Sequence, residues 1–245
     1  MRMRKKKHGE ERLAKCRELL YEHVGDEPLT TPTAVFGKSE GEVYLEIGAG
    51  KGGFACGMVE QHPDVSYFAM ERVTDCVVLA AERASGAGLG DNLRFMIDSA
   101  DRLMGIFAPG TVDKIFLNFS DPWSKKGYAK RRLTHKRYLA VYLTLLKEGG
   151  TLTFKTDNVG LFDFTLEQIE EIGLTPTALT RDLHASEWNE GNVVTEYEAN
   201  FSSQGVKINM VRIERPKGCD YTAEIPYELT LEGVKEPKRF LEREK

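Results

Sequence analysis

The sequence lacks the features that mark membrane and secreted proteins. Its 245 residues contain no apolar run close to the roughly 20 residues that a membrane-spanning helix needs. The N-terminus, MRMRKKKHGEE, is basic but has no apolar segment behind it, so we do not expect a secretory signal. With 41% hydrophobic and 29% charged residues, the composition is ordinary for a globular chain, and we expect a cytoplasmic protein.

Cysteine is scarce and scattered. The four cysteines form no C-x-x-C pair and have no histidine at ligand spacing, so zinc and disulfide roles are both poorly supported. We expect reduced, structural thiols and no metal. The cysteines are Cys16, Cys56, Cys76 and Cys219.

Acidic residues are missing from one long stretch. The formal net charge of −4 argues against a surface that binds nucleic acid everywhere. Residues 122–146, however, contain no Asp or Glu, and a second basic run lies within residues 1–8, which we expect to form a mobile arm. The basic residues of the acid-free stretch are Lys125, Lys126, Lys130, Arg131, Arg132, Lys136 and Arg137, with His135 among them.

The chain is organised around VYLEIGAGKGG at residues 43–53. Its apolar first half and glycine-rich second half predict a buried strand that turns into a helix, a turn that binds nucleotides. The spacing of Gly48, Gly50 and Gly53 also fits G-x-G-x-x-G, and Glu71 follows about 20 residues later. By itself the turn suits a nicotinamide or flavin cofactor as well as S-adenosylmethionine.

Apolar periodicity predicts strands alternating with helices, and therefore an α/β fold with a mostly parallel sheet and helices on both faces. The last two strands can pair as an antiparallel edge. We expect one domain over residues 9–215, beginning with a helix at 9–25, and a charged extension at 216–245 without an assigned role. The predicted strands lie at 43–47, 65–71, 93–97, 112–119, 151–156, about 176–183 and 207–215, and further helices at 54–61, 74–85, 135–147, 161–172 and 194–203.

Five predicted strands of this sheet end on an acid: Glu46, Glu71, Asp98, Asp121 and Asp157. Because ligands of such sheets bind at the carboxyl ends of the strands, we expect these acids to share a cleft. An acid at position 46 would repel a pyrophosphate but would suit the ammonium and sulfonium of S-adenosylmethionine. Glu71 suits ribose hydroxyls in either cofactor, and Asp98 suits an adenine amino group. The acid at position 46 therefore decides between the two cofactors and favours the methyl donor.

The acid-free stretch opens with Asp121-Pro122-Trp123. Trp123 could stack on a base while the following lysines and arginines track phosphates, which indicates a nucleobase acceptor. The alternative for Trp123 is a core aromatic at a strand end.

Together these motifs resemble the bacterial tRNA (guanine-N7)-methyltransferase family. The resemblance covers about residues 10–215 and rests on EIGAGKGG, LNFSDPWSKKGYAKRRLTH, FKTDN and TEYE. It implies a Rossmann-like class I methyltransferase fold with a seven-stranded sheet, S-adenosylmethionine as cofactor and tRNA as partner. It leaves open whether the protein is a monomer or a homodimer.

The resemblance also implies roles for individual residues. Asp121 is the catalytic acid, and family members usually carry more basic and polar residues where this chain has Gly127-Tyr128-Ala129. The implied cofactor contacts are Glu46, Gly48, Gly50, Glu71, Asp98 and Asp121; the implied substrate contacts are Lys125, Asp157, Thr195, Glu196, Tyr197 and Glu198; and Gly127, Tyr128, Ala129, Lys130, Arg131 and Arg132 are expected to lie on the RNA.

Three rival functions fit parts of the sequence. A methyltransferase could act on another nucleobase, a protein or a small molecule, although the basic aromatic loop disfavours the last two. A nicotinamide oxidoreductase would have no use for that loop or for an acid at position 46. A noncatalytic RNA-binding module could retain a vestigial pocket.

Overall fold

A seven-stranded sheet dominates the computed structural model, which describes residues 7–233. The strand order is β3-β2-β1-β4-β5-β7-β6; the first five strands in the chain are parallel, and β7 is antiparallel to both its neighbours. The predicted fold class is therefore confirmed. The strands are β1 (Val43–Ile47), β2 (Ser66–Met70), β3 (Leu93–Met96), β4 (Val112–Asn118), β5 (Leu146–Thr156), β6 (Ala178–Thr180) and β7 (Asn209–Glu214).

Helices pack on both faces of the sheet and separate it from solvent. The face that carries Leu45 packs against α5 and α6, and the face that carries Tyr44 packs against α2 and α3. The helices are α1 (Gly9–Ala14), α2 (Gly53–Gln61), α3 (Thr74–Gly86), α4 (Leu103–Ile106), α5 (Lys136–Leu145), α6 (Val159–Glu171) and α7 (Glu196–Ser202).

The predicted N-terminal helix over 9–25 is wrong in its length. Helix α1 ends at Ala14, and a short 3-10 turn follows at Arg17–Leu19. Beyond that turn the chain is extended, and the amide of Tyr21 donates to the carbonyl of Phe95 at 2.9 Å. Strand β3 lies at the edge of the sheet, so its unpaired backbone groups bind this segment in preference to a longer helix.

The segment after residue 215 belongs to the main core as far as it is described. Tyr221, Ile225 and Leu229 are buried in the same apolar cluster as α5. Residues 216–233 therefore complete the domain rather than extend from it. The basic residues 1–6 and the end of the predicted extension, 234–245, lie outside the described residues.

Candidate active site

A deep cleft lies at the carboxyl ends of β1 and β4, where the order of the strands reverses. Its volume of about 1320 Å³ exceeds the roughly 300–1,000 Å³ of a pocket for one small ligand. The cleft is therefore large enough for a cofactor and part of a second molecule. Predicted site residues on its wall are Gly48, Gly50, Glu71, Asp98, Asp121, Gly127, Tyr128, Lys130 and Arg131.

The glycine turn forms one wall with bare backbone. Gly48 has φ +85° and Gly50 has φ +56°, conformations that side chains rarely adopt. The amide of Gly48 donates to the carbonyl of Met70 at 2.8 Å, which ties the turn to the end of β2. The turn is thus held in place while its glycines leave room for a ligand.

Glu71 and Asp98 stand at the ends of β2 and β3, as predicted. Glu71 accepts hydrogen bonds from the amides of Gly50 (3.0 Å) and Val73 (2.8 Å). Asp98 accepts one from the amide of Ser99 at 2.7 Å and another from Arg102 at 2.6 Å. Burial raises the pKa of Asp98, and Ser99 and Arg102 oppose that rise. Both carboxylates are held at the cleft by contacts within the chain.

Glu46 is not on the wall of this cleft, and its contact with the cofactor stays a prediction. Successive residues of a strand point to opposite faces, and it is Ile47, the next residue of β1, that lines the cleft. The Glu46 carboxylate is 1% exposed and accepts hydrogen bonds from the Tyr67 hydroxyl at 3.3 Å and from Asn118 Nδ2 at 3.1 Å. Burial raises its pKa to about 7.

The loop after β4 bears Asp121 between two aromatic residues in unusual backbone conformations. Phe119 has φ +52° and Trp123 has φ +41°, values that are strained for bulky side chains and that cluster at functional sites. Asp121 lines the cleft, its side chain is 68% exposed, and it pairs with Arg72 at 3.6 Å. The predicted catalytic acid is therefore accessible from the cleft.

The first part of the basic stretch folds into a 3-10 helix at Lys126–Arg131, and the arginines at its end, Arg131 and Arg132, contact other residues of the loop. Arg131 lies over the rings of Trp123 (5.1 Å) and Tyr128 (4.8 Å). Arg132 Nε donates to the carbonyl of Pro122 at 2.9 Å. Both arginines thus brace the loop, although Arg131 is exposed, as Lys125 and Lys130 are.

The TEYE segment forms the start of α7 and divides into exposed and buried residues. Thr195 Oγ1 accepts from the amide of Glu198 at 2.9 Å and so caps the helix. Tyr197 is 45% exposed, and Glu196 pairs with Arg83 on the surface. Glu198 is 0% exposed and pairs with Lys155 at 2.7 Å. The Glu198 carboxylate is enclosed by protein, and its predicted contact with the substrate stays a prediction.

Other predicted substrate residues stand beside the cleft rather than on its wall. Asp157 follows the end of β5 and is half-buried. The pKa of Tyr197 is raised by burial and also by the negative charge of Asp157. Lys125 precedes the 3-10 helix and is exposed.

The sequence prediction missed four residues that build the site. Arg102 holds Asp98, Arg72 pairs with Asp121, Phe119 lines the cleft, and Lys155 anchors α7. Two of these residues could have been found from the sequence: Lys155 is a lysine inside the apolar strand TLTFKT, and Phe119 is an aromatic residue two positions before Asp121.

Comparison with known proteins decides the family. A family model described as "Putative methyltransferase" matches residues 40–211. A tRNA (guanine-N(7)-)-methyltransferase of Bacillus subtilis is 38% identical over 214 residues, which cover 87% of this chain and 99% of the relative. The chain belongs to the tRNA (guanine-N7)-methyltransferase family.

Two more relatives carry the same description. The protein of Lachnoclostridium phytofermentans is 44% identical over 183 residues, covering 75% of this chain and 85% of that one. The protein of Halalkalibacterium halodurans is 43% identical over 173 residues, covering 71% and 77%. The family resemblance read from the sequence is thus confirmed, and this methyltransferase family uses S-adenosylmethionine.

Solved structures support the fold. A 16S rRNA methyltransferase, KamB, matches with a TM-score of 0.55 at 11% identity, over 77% of this chain and 96% of that one. An antibiotic-related methyltransferase matches with a TM-score of 0.54 at 14% identity, over 74% and 90%. At such low identity the likeness concerns the fold alone.

Residues 7–233 contain neither a membrane-spanning helix nor a cluster of metal-binding side chains. No helix in this range is long and apolar enough to cross a membrane. Within the same range, no group of three or more His, Cys, Asp or Glu side chains is placed to hold a metal ion.

Proposed function

We propose that this enzyme transfers the methyl group of S-adenosylmethionine to N7 of a guanine in the variable loop of tRNA. One observation carries the proposal: the glycine turn and the acids Glu71 and Asp98 share a cleft with Asp121, two aromatic residues and the basic 3-10 helix. Cofactor-type and acceptor-type groups therefore face the same space. We further expect a cytoplasmic location, where tRNA is modified.

The cleft residues fit the cofactor. Gly48 and Gly50 keep the turn free of side chains, Glu71 can accept hydrogen bonds from ribose hydroxyls, and Asp98 can accept one from the adenine amino group. When bound, the cofactor supplies an electrophilic methyl group on a positively charged sulfur. A direct contact of Glu46 with the cofactor stays a prediction.

The residues of the chain provide alignment and electrostatics. Guanine N7 already carries a lone pair, so no proton has to be removed before it attacks a methyl group. The purine becomes positively charged, and the accessible carboxylate of Asp121 can orient the base and stabilise that charge. Lys125, Lys130 and the adjacent loop would contact the RNA backbone.

The test is transfer of labelled methyl from S-adenosylmethionine to unmodified tRNA, followed by cleavage at N7-methylguanine. We expect label at a guanine of the variable loop. Label at another nucleotide would support methyltransferase activity on RNA but would contradict the variable-loop guanine as the acceptor. Cofactor binding without transfer to any RNA would favour a noncatalytic RNA-binding module, and binding of NADH in place of S-adenosylmethionine would favour an oxidoreductase.

A further inference from the structure

Phe119 lies on the wall of the cleft, but the family resemblance gives this residue no role. It lines the cleft two residues before Asp121, and it is half-buried against an apolar cluster that includes Met210. Its amide donates to the carbonyl of Lys155 at 2.9 Å, which fixes the strained backbone at φ +52°. An aromatic ring is therefore held rigidly beside the catalytic acid.

Tyr197 supports this ring from behind. The centroids of the Phe119 and Tyr197 rings are 4.9 Å apart with the ring planes tilted by 41°, and the ring of Phe201 stacks on Tyr197 at 4.4 Å. Aromatic pairs at such distances are stabilised beyond the area that they bury. Phe119, Tyr197 and Phe201 thus form an aromatic stack whose first member faces the cleft.

A single residue anchors both parts of this stack. The backbone carbonyl of Lys155 accepts from Phe119, and its ammonium donates to Asn192 Oδ1 (2.9 Å), the carbonyl of Val193 (3.1 Å) and Glu198 Oε2 (2.7 Å). All three ammonium protons are used, and the side chain is buried. The end of β5 therefore sets the distance between Phe119 and α7.

Trp123, the other aromatic residue beside Asp121 on the cleft wall, already contacts a cation and a second ring. The guanidinium of Arg131 lies over the ring of Trp123, and the ring of Tyr128 packs against it edge-on at 5.8 Å. Trp123 is thus engaged within its own loop. Phe119 is the better candidate for contact with a base.

We propose that Phe119, backed by Tyr197, is the surface on which the acceptor purine stacks while Asp121 contacts its edge. The inference rests on the proposed function and names the part of the chain that holds the base. Every base has a π face, so this stack contributes affinity and alignment, and the neighbouring polar groups select guanine.

The test compares Phe119→Leu, which keeps apolar bulk without a ring, with Phe119→Tyr, which keeps the ring. We expect Phe119→Leu to lower kcat/KM for tRNA by about 10- to 100-fold, the range for loss of one base–aromatic stack. Phe119→Tyr should recover most of the loss, and both variants should bind S-adenosylmethionine as the wild type does, which shows that they are folded.

A second readout reports stacking directly. With S-adenosylhomocysteine present, a tRNA carrying 2-aminopurine in place of the acceptor guanine should be quenched by the wild-type protein and be several-fold brighter with Phe119→Leu. Tyr227→Leu is the control, because it removes an exposed ring that belongs neither to the stack nor to the cleft wall, and it should remain close to wild type. Equal effects of Phe119→Leu and Tyr227→Leu, or unchanged kinetics of Phe119→Leu, would overturn the inference.

Failure of the proposed function is a separate outcome. If the wild-type enzyme forms no N7-methylguanine, the function itself is wrong. If it does, and Phe119→Leu matches it in rate and fluorescence, the stacking surface alone is wrong.

Discussion

The two sides of the cleft are built in different ways. On the cofactor side, both oxygens of the Glu71 carboxylate and both of the Asp98 carboxylate accept hydrogen bonds from groups nearby in the fold. On the acceptor side, the Asp121 side chain is 68% exposed, and its nearest cation, on Arg72, is 3.6 Å away. The first side is preorganised by the chain itself.

This difference indicates which side of the cleft is ordered before its ligand binds and which side is ordered by binding. A preorganised site loses little conformational freedom when a small ligand enters. On the acceptor side, a buried contact joins β5 to α7, and an accessible acid and exposed lysines lie above it. We infer that RNA contacts complete this side, and the predictions below probe the contrast, beginning with the largest effect.

The buried contact between β5 and α7, beneath the acceptor side, should contribute more to the free energy of unfolding than a surface ion pair does. Lys155→Met leaves the Glu198 carboxylate buried without its ammonium partner, so the free energy of unfolding should fall by about 3–5 kcal/mol in urea denaturation. The matched control, Lys136→Met, breaks an exposed pair with Glu171 and should cost less than about 1 kcal/mol. A double variant with Glu198→Leu should regain most of the loss; if it stays as unstable as Lys155→Met, the buried charge is not the cause.

Substitution of the acids on the two sides should change different kinetic quantities. Asp121→Asn should lower kcat on saturating tRNA by about 100-fold, since a group that stabilises transition-state charge is lost. Asp98→Asn should mainly weaken binding of S-adenosylmethionine, measured by titration calorimetry, with kcat largely kept at saturation. Asp163→Asn, on the surface of α6, is the control and should change neither. Near-normal turnover of Asp121→Asn would contradict a role of Asp121 in stabilising the transition state.

Glu46 should make stability depend on pH. Its pKa in the folded protein is raised from 4.5 to about 7, so between these values the folded state binds more protons than the unfolded state. The contribution of Glu46 to stability is then complete at low pH and is lost as pH rises towards 7 and above. Relative to Glu46→Gln, the wild type should lose about 2–3 kcal/mol of unfolding free energy between pH 4.5 and pH 8. Parallel stability curves for the two proteins would show that the carboxyl group ionises normally.

The smallest effect concerns the exposed lysines. Lys130→Ala should weaken tRNA binding modestly and reduce the slope of log K against log salt concentration by about one, because one phosphate contact is lost. Lys38→Ala is the control, since Lys38 donates to the backbone carbonyl of Asp64 just before β2, at the amino ends of the strands and away from the cleft. An unchanged salt slope for Lys130→Ala would place the RNA elsewhere.

Much of the fold follows from local patterns. Apolar runs that end on glycines or acids mark the strands, and short-range periodicity marks α3 and α6 within one or two residues. The acids Glu71, Asp98 and Asp121 reach the cleft because parallel strands end at the same edge. These features depend on sequence neighbours and so can be read from the chain.

The features that the sequence did not predict come from tertiary contacts that no short window contains. A shift of one residue along β1 changes the face, which is why Glu46 is buried and Ile47 lines the cleft. In TEYE, the inward direction of Glu198 depends on Lys155, 43 residues away. The extended segment after residue 19 forms because the edge of β3 is free to bind it.

The burial of Tyr221, Ile225 and Leu229 affects how the protein folds during synthesis. Tyr221, Ile225 and Leu229 pack in the cluster that α5 also joins, so that cluster is incomplete until residue 229 has left the ribosome. A nascent chain that ends earlier exposes apolar side chains of α5, which are targets for chaperones and for aggregation. The enzyme therefore completes its core late in translation, long after the cofactor side of its cleft has been made.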